Sequence, residues 1–376
     1  VETTQRIGLS PFDSLRSDIV LALPSHSPVS HGMFQIDVTS IDSQIIKATP
    51  LLGAMHRGAE KLFESRDYRQ VIGLANRHEW LSAFSGEVGI AALIEREIGI
   101  DVPLSARWLR TLILEVNRIS SHLAFLSGFP WQEVSIENEL RQLREQWVNH
   151  MRSYTGSRMH PMLTQIGGMT HAPTVDWLEA LIQLSEVTDE KLASLDLVIQ
   201  NELTELKSVG KISAQQIDEF AVSGPVARAS GVAIDLRTRS TSLMYSELST
   251  FESILQTEGD VPARLQQLLD EILISTKLVI ECVPQCITRN AESVNVLTPK
   301  VLRVPEGEYE HSIETPLGIA SWFLVSKGDK YPYRLKLRPA SLHSALALSV
   351  ALVGEELAAL PLIVTSIPFL TGDTDR

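Results

Sequence analysis

Histidine titrates near neutrality, so a histidine in a glycine-flanked loop is a candidate proton donor. His31, in "SPVSHGMFQ", is such a residue; the alternative is an ordinary surface-loop histidine. "MHRGAEKL" sets His56, Arg57, Glu60 and Lys61 within two helical turns, which equally suits a solvated helix start with internal ion pairs. "NRHEWLSAF" places His78 next to Glu79, but Ser82 stands where a zinc-binding helix needs its second histidine. Glu115, Arg118 and His122 lie three and four residues apart and share a helix face, which predicts buried ion-pair scaffolding. Arg334, Lys336 and Arg338 alternate along a strand. Their basic face meets either an acidic partner or this chain's own helix C-termini. The two cysteines, Cys282 and Cys286, are too few for a tetrahedral metal site and read as structural.

These groups need a scaffold, and the composition is that of one. The chain has 376 residues, 44% hydrophobic and 21% charged, enough for a large core. A formal net charge of −13 disfavours a broad nucleic-acid or anionic-membrane surface. The longest mostly apolar run, 345–354, is far short of the roughly 20 residues a bilayer needs. No basic stretch followed by an apolar block marks a signal peptide at the N-terminus. Any membrane contact is therefore expected through partners. The low cysteine count fits a reducing cytoplasm.

The patterning predicts an α+β fold with a mainly helical core and small β elements at both ends. Residues 1–21 read as an N-terminal arm, 22–52 as a β-hairpin with the His31 loop at its base, and 53–376 as the helical core. Helices are expected over 77–98, 103–126, 135–156, 175–207, 260–283 and 341–358. Short strands are expected over 303–310, 321–326 and 333–338. No glycine-rich phosphate loop follows a strand, so no flavin or nucleotide site is visible.

Taken together, the chain resembles the 49 kDa-type (D-type) subunit of respiratory complex I, the NADH–quinone oxidoreductase, whose fold is shared with nickel–iron hydrogenase large subunits. The matching stretches are "SPVSHGMFQ", "PLLGAMHRGAEKLFESRDYRQ", "NRHEWLSAF", "EIGIDVPLSARWLRTLILEVNRISSHL", "TGSRM", "IGGM", "SGPVARASG", "TEGDVPAR", "IETPLG", "PYRLKLRPAS" and the terminal "GDTDR". They run in family order through nearly the whole chain.

The resemblance implies a quinone-reduction site built with a partner, the B-type iron–sulfur subunit, that carries the terminal 4Fe–4S cluster. The C-type subunit and the H-type membrane subunit are the other implied neighbours, at the cytoplasmic face of a membrane complex. This chain is expected to bind no cofactor and to have no activity alone. The hydrogenase cysteine positions fall at Glu79, Ser82, Phe369 and Gly372 or Asp373, none of which carries sulfur. Hard oxygen donors are poor substitutes for bridging thiolates at a soft metal pair, so hydrogenase chemistry is excluded. Carried over residue by residue, the family's loop histidine falls at His31, its "HRG" arginine at Arg57 and its quinone-facing tyrosine at Trp80. Glu79 stands beside that position. The carboxylate that couples to the histidine falls near Gln132 or Glu133, in a stretch about two residues shorter than the family pattern. The family's first loop histidine aligns with Ser27, next to His26. The alternative is a structural coupling subunit of a related membrane assembly, without quinone or hydrogenase chemistry.

Overall fold

Residues 1–21 are not an arm. In the computed structural model, which describes residues 1–375, β1 (Glu2–Gly8) pairs in parallel with β2 (Ile19–Val20). Along its whole length β1 also runs antiparallel to β3 (Gln35–Ile41). β1 is mostly polar, and main-chain pairing together with an ion pair between Arg6 and Asp37 (2.7 Å) holds it in place. The expected hairpin follows. Asp42 and Ser43 take φ of 48° and 72°, a tight-turn backbone, and lead into β4 (Gln44–Leu51). The sheet order is β2-β1-β3-β4.

The chain then becomes helical. α1 (Ala59–Glu64) and α2 (Tyr68–Ala75) precede α3 (Ala83–Ile98), α4 (Leu104–Ser127) and α5 (Val134–Thr155). A two-residue hairpin, β5 (Thr164–Gln165) and β6 (Gly168–Met169), leads to α6 (Val175–Glu205). Short helices α7 (Ala214–Glu219) and α8 (Gly224–Ala229) precede α9 (Val261–Thr288). The end signals are those of ordinary helices. Asp260 caps α9 by accepting from the Ala263 amide at 3.0 Å, and Thr174 caps α6 at the Trp177 amide. α4 is buried on nearly every face and packs on α9, α5 and α3. Cys282 and Cys286 are free thiols inside this core, and burial pushes Cys286 up to about 12. Among the described residues no helix is long and apolar enough to cross a membrane.

The C-terminal part holds a second antiparallel sheet, β7 (Gly307–Thr315), β8 (Gly318–Ser326) and β9 (Arg334–Arg338). The strand expected over 303–310 is displaced toward 307–315. The helix expected over 341–358 ends early: α10 (Ala340–Ala351) gives way at Gly354, whose amide donates to the Ile45 carbonyl at 2.8 Å. There the chain touches the hairpin before α11 (Leu360–Ser366) and α12 (Thr371–Thr374). Two residues of the basic face of β9 are used internally, while Lys336 is exposed. Arg334 pairs with Glu60 and Glu64 of α1, and Arg338 donates to the Ala221 carbonyl at 3.1 Å.

At the centre, Glu115, Arg118 and His122 face the core from α4, as their spacing predicts. Arg228 of α8 donates to Glu271 of α9 and to Glu314 of β7, each at 2.7 Å. Arg237 donates to Asp235 at 2.7 Å and to Glu115 at 3.2 Å. Glu115 also accepts from Tyr245 and Ser275, and His122 Nε2 lies 3.0 Å from Glu271. Four carboxylates (Glu115, Asp235, Glu271, Glu314) thus share three guanidiniums (Arg118, Arg228, Arg237), all buried. Despite burial, the guanidinium of Arg228 and the His122 bond hold Glu271 well below the usual carboxylate range. Arg228→Leu leaves Glu271 and Glu314 charged and short of a partner, and is expected to cost about 3–5 kcal/mol. Breaking the exposed Lys211–Glu258 pair with Lys211→Ala should cost less than about 1 kcal/mol. Thermal or denaturant unfolding of both variants checks the contrast.

Candidate functional site

An open cavity of about 580 Å³ lies between the His31 loop, the end of α4, the segment after α2 and one face of α5. Drug- and cofactor-sized ligands occupy cavities of roughly this volume. The loop is seated closely. A Cβ at Gly128 would come within 2.8 Å of the Ser27 Cα, so glycine there lets the loop lie flush on the end of α4. Gly32, at φ +129°, allows the equally close approach of Thr371 from α12.

His31 ends a 3₁₀ turn over Pro28–Ser30 and is exposed. Its Nδ1 lies 2.9 Å from the Ser27 carbonyl. A carbonyl only accepts, so Nδ1 carries hydrogen and Nε2 is the nitrogen left for a ligand. Trp80 is half-buried on the facing wall, its ring centroid 5.7 Å from that of His31.

The helix expected from Arg77 begins only at Ala83, because 76–82 is pinned as an irregular turn. The Asn76 amide donates to the Glu87 carboxylate, Arg77 donates back to Asn76, and the Glu79 backbone sits at φ −85°, ψ 74°. This backbone sends Glu79 inward and Trp80 toward the cavity. Burial pushes the Glu79 carboxyl well up, reinforced by the charge of Asp373 and opposed by Thr315, Arg118 and Ser82. The positions expected to correspond to former metal ligands thus include two mutually repelling carboxyl groups, Glu79 and Asp373.

The other expected site residues lie elsewhere. Gln132 and Glu133 are exposed at the start of α5, where their amides donate to the carboxylate of Glu202 at 3.0 and 2.8 Å. Neither lines the cavity. A helix N-terminus leaves its amides unsatisfied, and Glu202 from α6 is what satisfies these two. Arg57 is also exposed and off the cavity wall, beside Gly372 of α12. Its turn is fastened to the C-terminal segment by Asp375, which accepts from the amides of Gly53 and Met55 at 2.7 Å each. Arg57 and Gly32 therefore both abut α12.

Of the residues that complete the wall, His26 stands out in the sequence only as the neighbour of Ser27, and Arg141 and Arg144 belong to no motif. His26 lines the cavity, with Nε2 2.7 Å from the Ser127 carbonyl and 3.5 Å from the carboxylate of Glu137. α5 contributes Arg141 and Arg144. Glu145 is engaged by Arg158 at 2.7 Å, so Arg144 keeps only a 3.7 Å contact with it and faces the cavity as a partly desolvated cation. Burial lowers the Arg144 pKa. The available signal was the helical spacing of Glu137, Arg141, Arg144 and Glu145, which in sequence is indistinguishable from a solvated face.

A family model described as "Respiratory-chain NADH dehydrogenase, 49 Kd subunit" matches residues 138–376. The NADH-quinone oxidoreductase D-type subunit 1 of Streptomyces coelicolor is 41% identical, with 100% of this chain and 99% of that protein covered. The NADH-quinone oxidoreductase D-type subunit of Bacillus thuringiensis is 33% identical, covering 94% of this chain and 96% of its own length. Among solved structures, a chain of the membrane-bound sulfane sulfur reductase, an archaeal respiratory membrane complex, matches with a TM-score of 0.83 at 29% identity. That match covers 91% of this chain and 94% of the other.

The buried carboxyl that anchors the Trp80 segment gives a pH test. Burial raises Glu87 to about 7, although the amides of Thr164 and Met162 and the side chain of Asn76 donate to it. The folded chain therefore holds this proton more tightly than the unfolded chain does. Glu87 contributes stability that is fully present below its ordinary pKa of 4.5 and is lost as pH rises through about 7. Glu87→Gln should flatten the fall in stability over that window by roughly 3 kcal/mol, beside a constant offset from its altered hydrogen bonds. Unfolding midpoints measured against pH check this, and an unchanged slope would assign the dependence to other groups.

Proposed function

The chain belongs to the 49 kDa, or D-type, subunit family of NADH–quinone oxidoreductases, electron-transport enzymes of the complex I type, and on that premise we propose that the cavity beside His31 receives a quinone headgroup. The observation that carries this reading is the pairing of His31 with Trp80 on the wall of an open cavity of about 580 Å³. Nε2 of His31 hydrogen-bonds one quinone carbonyl and delivers a proton to it during reduction. Trp80 stacks on the ring or donates its indole N–H to the substrate. The Arg144 cation favours the electron-rich, reduced form.

In this reading the electrons come from a 4Fe–4S cluster in the B-type subunit of the assembly, with the C-type subunit and the H-type membrane subunit as further neighbours. The chain itself supplies shape, hydrogen bonds and protons. It meets the membrane through those partners, at the cytoplasmic face. Arg57 supports the His31 loop indirectly, through α12. Glu79 sits behind Trp80 as a buried carboxyl whose pKa burial pushes well above the usual range.

A second reading is a coupling subunit that no longer handles quinone. Behind it stand the tryptophan in place of tyrosine and the likeness to a chain of a sulfane sulfur reductase complex. One variant separates the two. In the assembled complex, His31→Ala should lower NADH-driven quinone reduction by about a hundredfold, within the range that a general acid supplies. Electron transfer from NADH to an artificial one-electron acceptor should be unaffected. Unchanged quinone reduction would leave the coupling role as the better account.

A further inference from the structure

Reduction of a quinone to a quinol takes two electrons and two protons, and the cavity wall lacks the group that would most simply give the second proton. An indole N–H donates a hydrogen bond but does not give up its proton near neutral pH. The loop that carries His31 carries another imidazole at the opposite end of the same 3₁₀ turn, and both line the cavity. We propose that His26 is the second proton donor of this site, held in place by Ser127 and by the carboxylate of Glu137. The proposal rests on the quinone reading above and extends it.

The two histidines are fixed in complementary ways. The Ser27 carbonyl takes the Nδ1–H of His31 at 2.9 Å, and the Ser127 carbonyl takes the Nε2–H of His26 at 2.7 Å. A carbonyl oxygen cannot donate, so each of these nitrogens keeps its hydrogen in both protonation states. The exchangeable proton is therefore on Nε2 of His31 and on Nδ1 of His26. Main-chain contacts of this kind fix tautomer and ring orientation without consuming the nitrogen that does the chemistry.

The charged groups around His26 come from one helix. α5 brings Glu137 to 3.5 Å and also presents Arg141, Arg144 and Glu145 at the cavity. Glu145 is engaged by Arg158, which leaves Glu137 as the α5 carboxylate that meets the His26 ring. α4 contributes the Ser127 carbonyl, a dipole with its negative end toward the ring. Glu137 thus takes the coupling position for which Gln132 and Glu133 were the expected candidates. It couples to His26 and not to His31.

The step balances. Two electrons pass, one after the other, from the partner's iron–sulfur cluster to the quinone. One O–H bond forms at each carbonyl oxygen as the Nε2–H bond of His31 and the Nδ1–H bond of His26 break. Quinol leaves, and both neutral imidazoles are reprotonated from water.

The test uses the assembled complex. His26→Gln keeps an amide donor for Ser127 but has no proton to give. It should lower kcat for quinone reduction about tenfold or more, with KM changed less than about threefold. Transfer from NADH to an artificial acceptor should be unchanged. Glu137 is a positioning residue, so Glu137→Gln, which keeps an acceptor beside the ring, should retain most of the activity, whereas Glu137→Ala should lower kcat with KM changed less than about threefold. Trp80→Tyr adds a phenolic proton source, and in that background the His26→Gln loss should shrink below about threefold.

A full-sized loss in the Trp80→Tyr background would mean that His26 acts by shaping the loop, and would overturn the proposal. A silent His26→Gln beside a strongly impaired His31→Ala would overturn the His26 role and leave the quinone reading intact. If both variants were silent, the quinone reading would fall as well.

Discussion

Charge buried without a partner is the costliest thing a fold can contain, and this chain buries a great deal of it. Arg118, Arg228 and Arg237 lie in the interior with Glu115, Asp235, Glu271 and Glu314. Each ion loses several kcal/mol of hydration on burial, repaid only when geometry is nearly complete. The network therefore dictates how α4, α8, α9, β7 and the loop after α8 meet, because moving any one would orphan a charge. It also reaches the site. Arg118 donates to the Thr315 carbonyl, and its charge is one of the influences on Glu79. The turn that presents Trp80 is thus anchored on the ion network on one side and on Glu87 on the other.

That anchoring explains why one short segment can face two environments. Glu79 is directed inward, where burial and the neighbouring charge of Asp373 push its carboxyl well above the usual range. With Trp80 directed outward, the next residue along the chain reaches the cavity. A regular helix from Arg77 would turn these neighbours by only about 100° relative to each other, and the non-helical backbone at Glu79 lets them separate further. The irregularity has a use: it isolates a buried carboxyl from the solvent-connected cavity that its immediate neighbour in sequence lines.

What the sequence discloses follows from how local each feature is. The hairpin is legible because Asp42 and Ser43 suit a tight turn between alternating strands. The placement of Glu115, Arg118 and His122 is legible because helical spacing alone puts them on one face. β1 is illegible because its order comes from main-chain pairing with β3, which leaves no apolar alternation in "ETTQRIG". The late start of α3 is illegible because the Asn76–Glu87 bond that pins the turn is a tertiary contact. The motif that singles out His31 and the resemblance that singles out Trp80 point to two rings that the structure sets 5.7 Å apart. Gln132 and Glu133 lie off the cavity because the exposed start of α5 turns their amides to Glu202, a tertiary contact, and the carboxylate 3.5 Å from a loop histidine is Glu137. His26, Arg141 and Arg144 belong to stretches that look like an ordinary loop and an ordinary solvated helix face until the fold closes a cavity over them.

On the proposed reading, an indole at position 80, where the resemblance leads one to expect a tyrosine, has an electrostatic logic. A tyrosine that surrenders its proton leaves a phenolate, an anion that must be stabilised in a partly buried site backed by the carboxyl groups of Glu79 and Asp373. An imidazolium that surrenders its proton leaves a neutral ring, so the wall need not accommodate a new negative charge. In the proposed reading the loop histidines stand in for the phenol as proton donors, with His31 the exposed one of the two. Both line a solvent-open cavity from which they can be reprotonated, and Trp80 supplies only an uncharged hydrogen-bond donor. Arg144, short of a full ion-pair partner, is the fixed cation that such a site retains through the cycle. On this view the loss of the phenol relocates the proton supply from the helix side of the cavity to the loop side, and the loop's two carbonyl-fixed tautomers are the structural feature that makes the relocation workable.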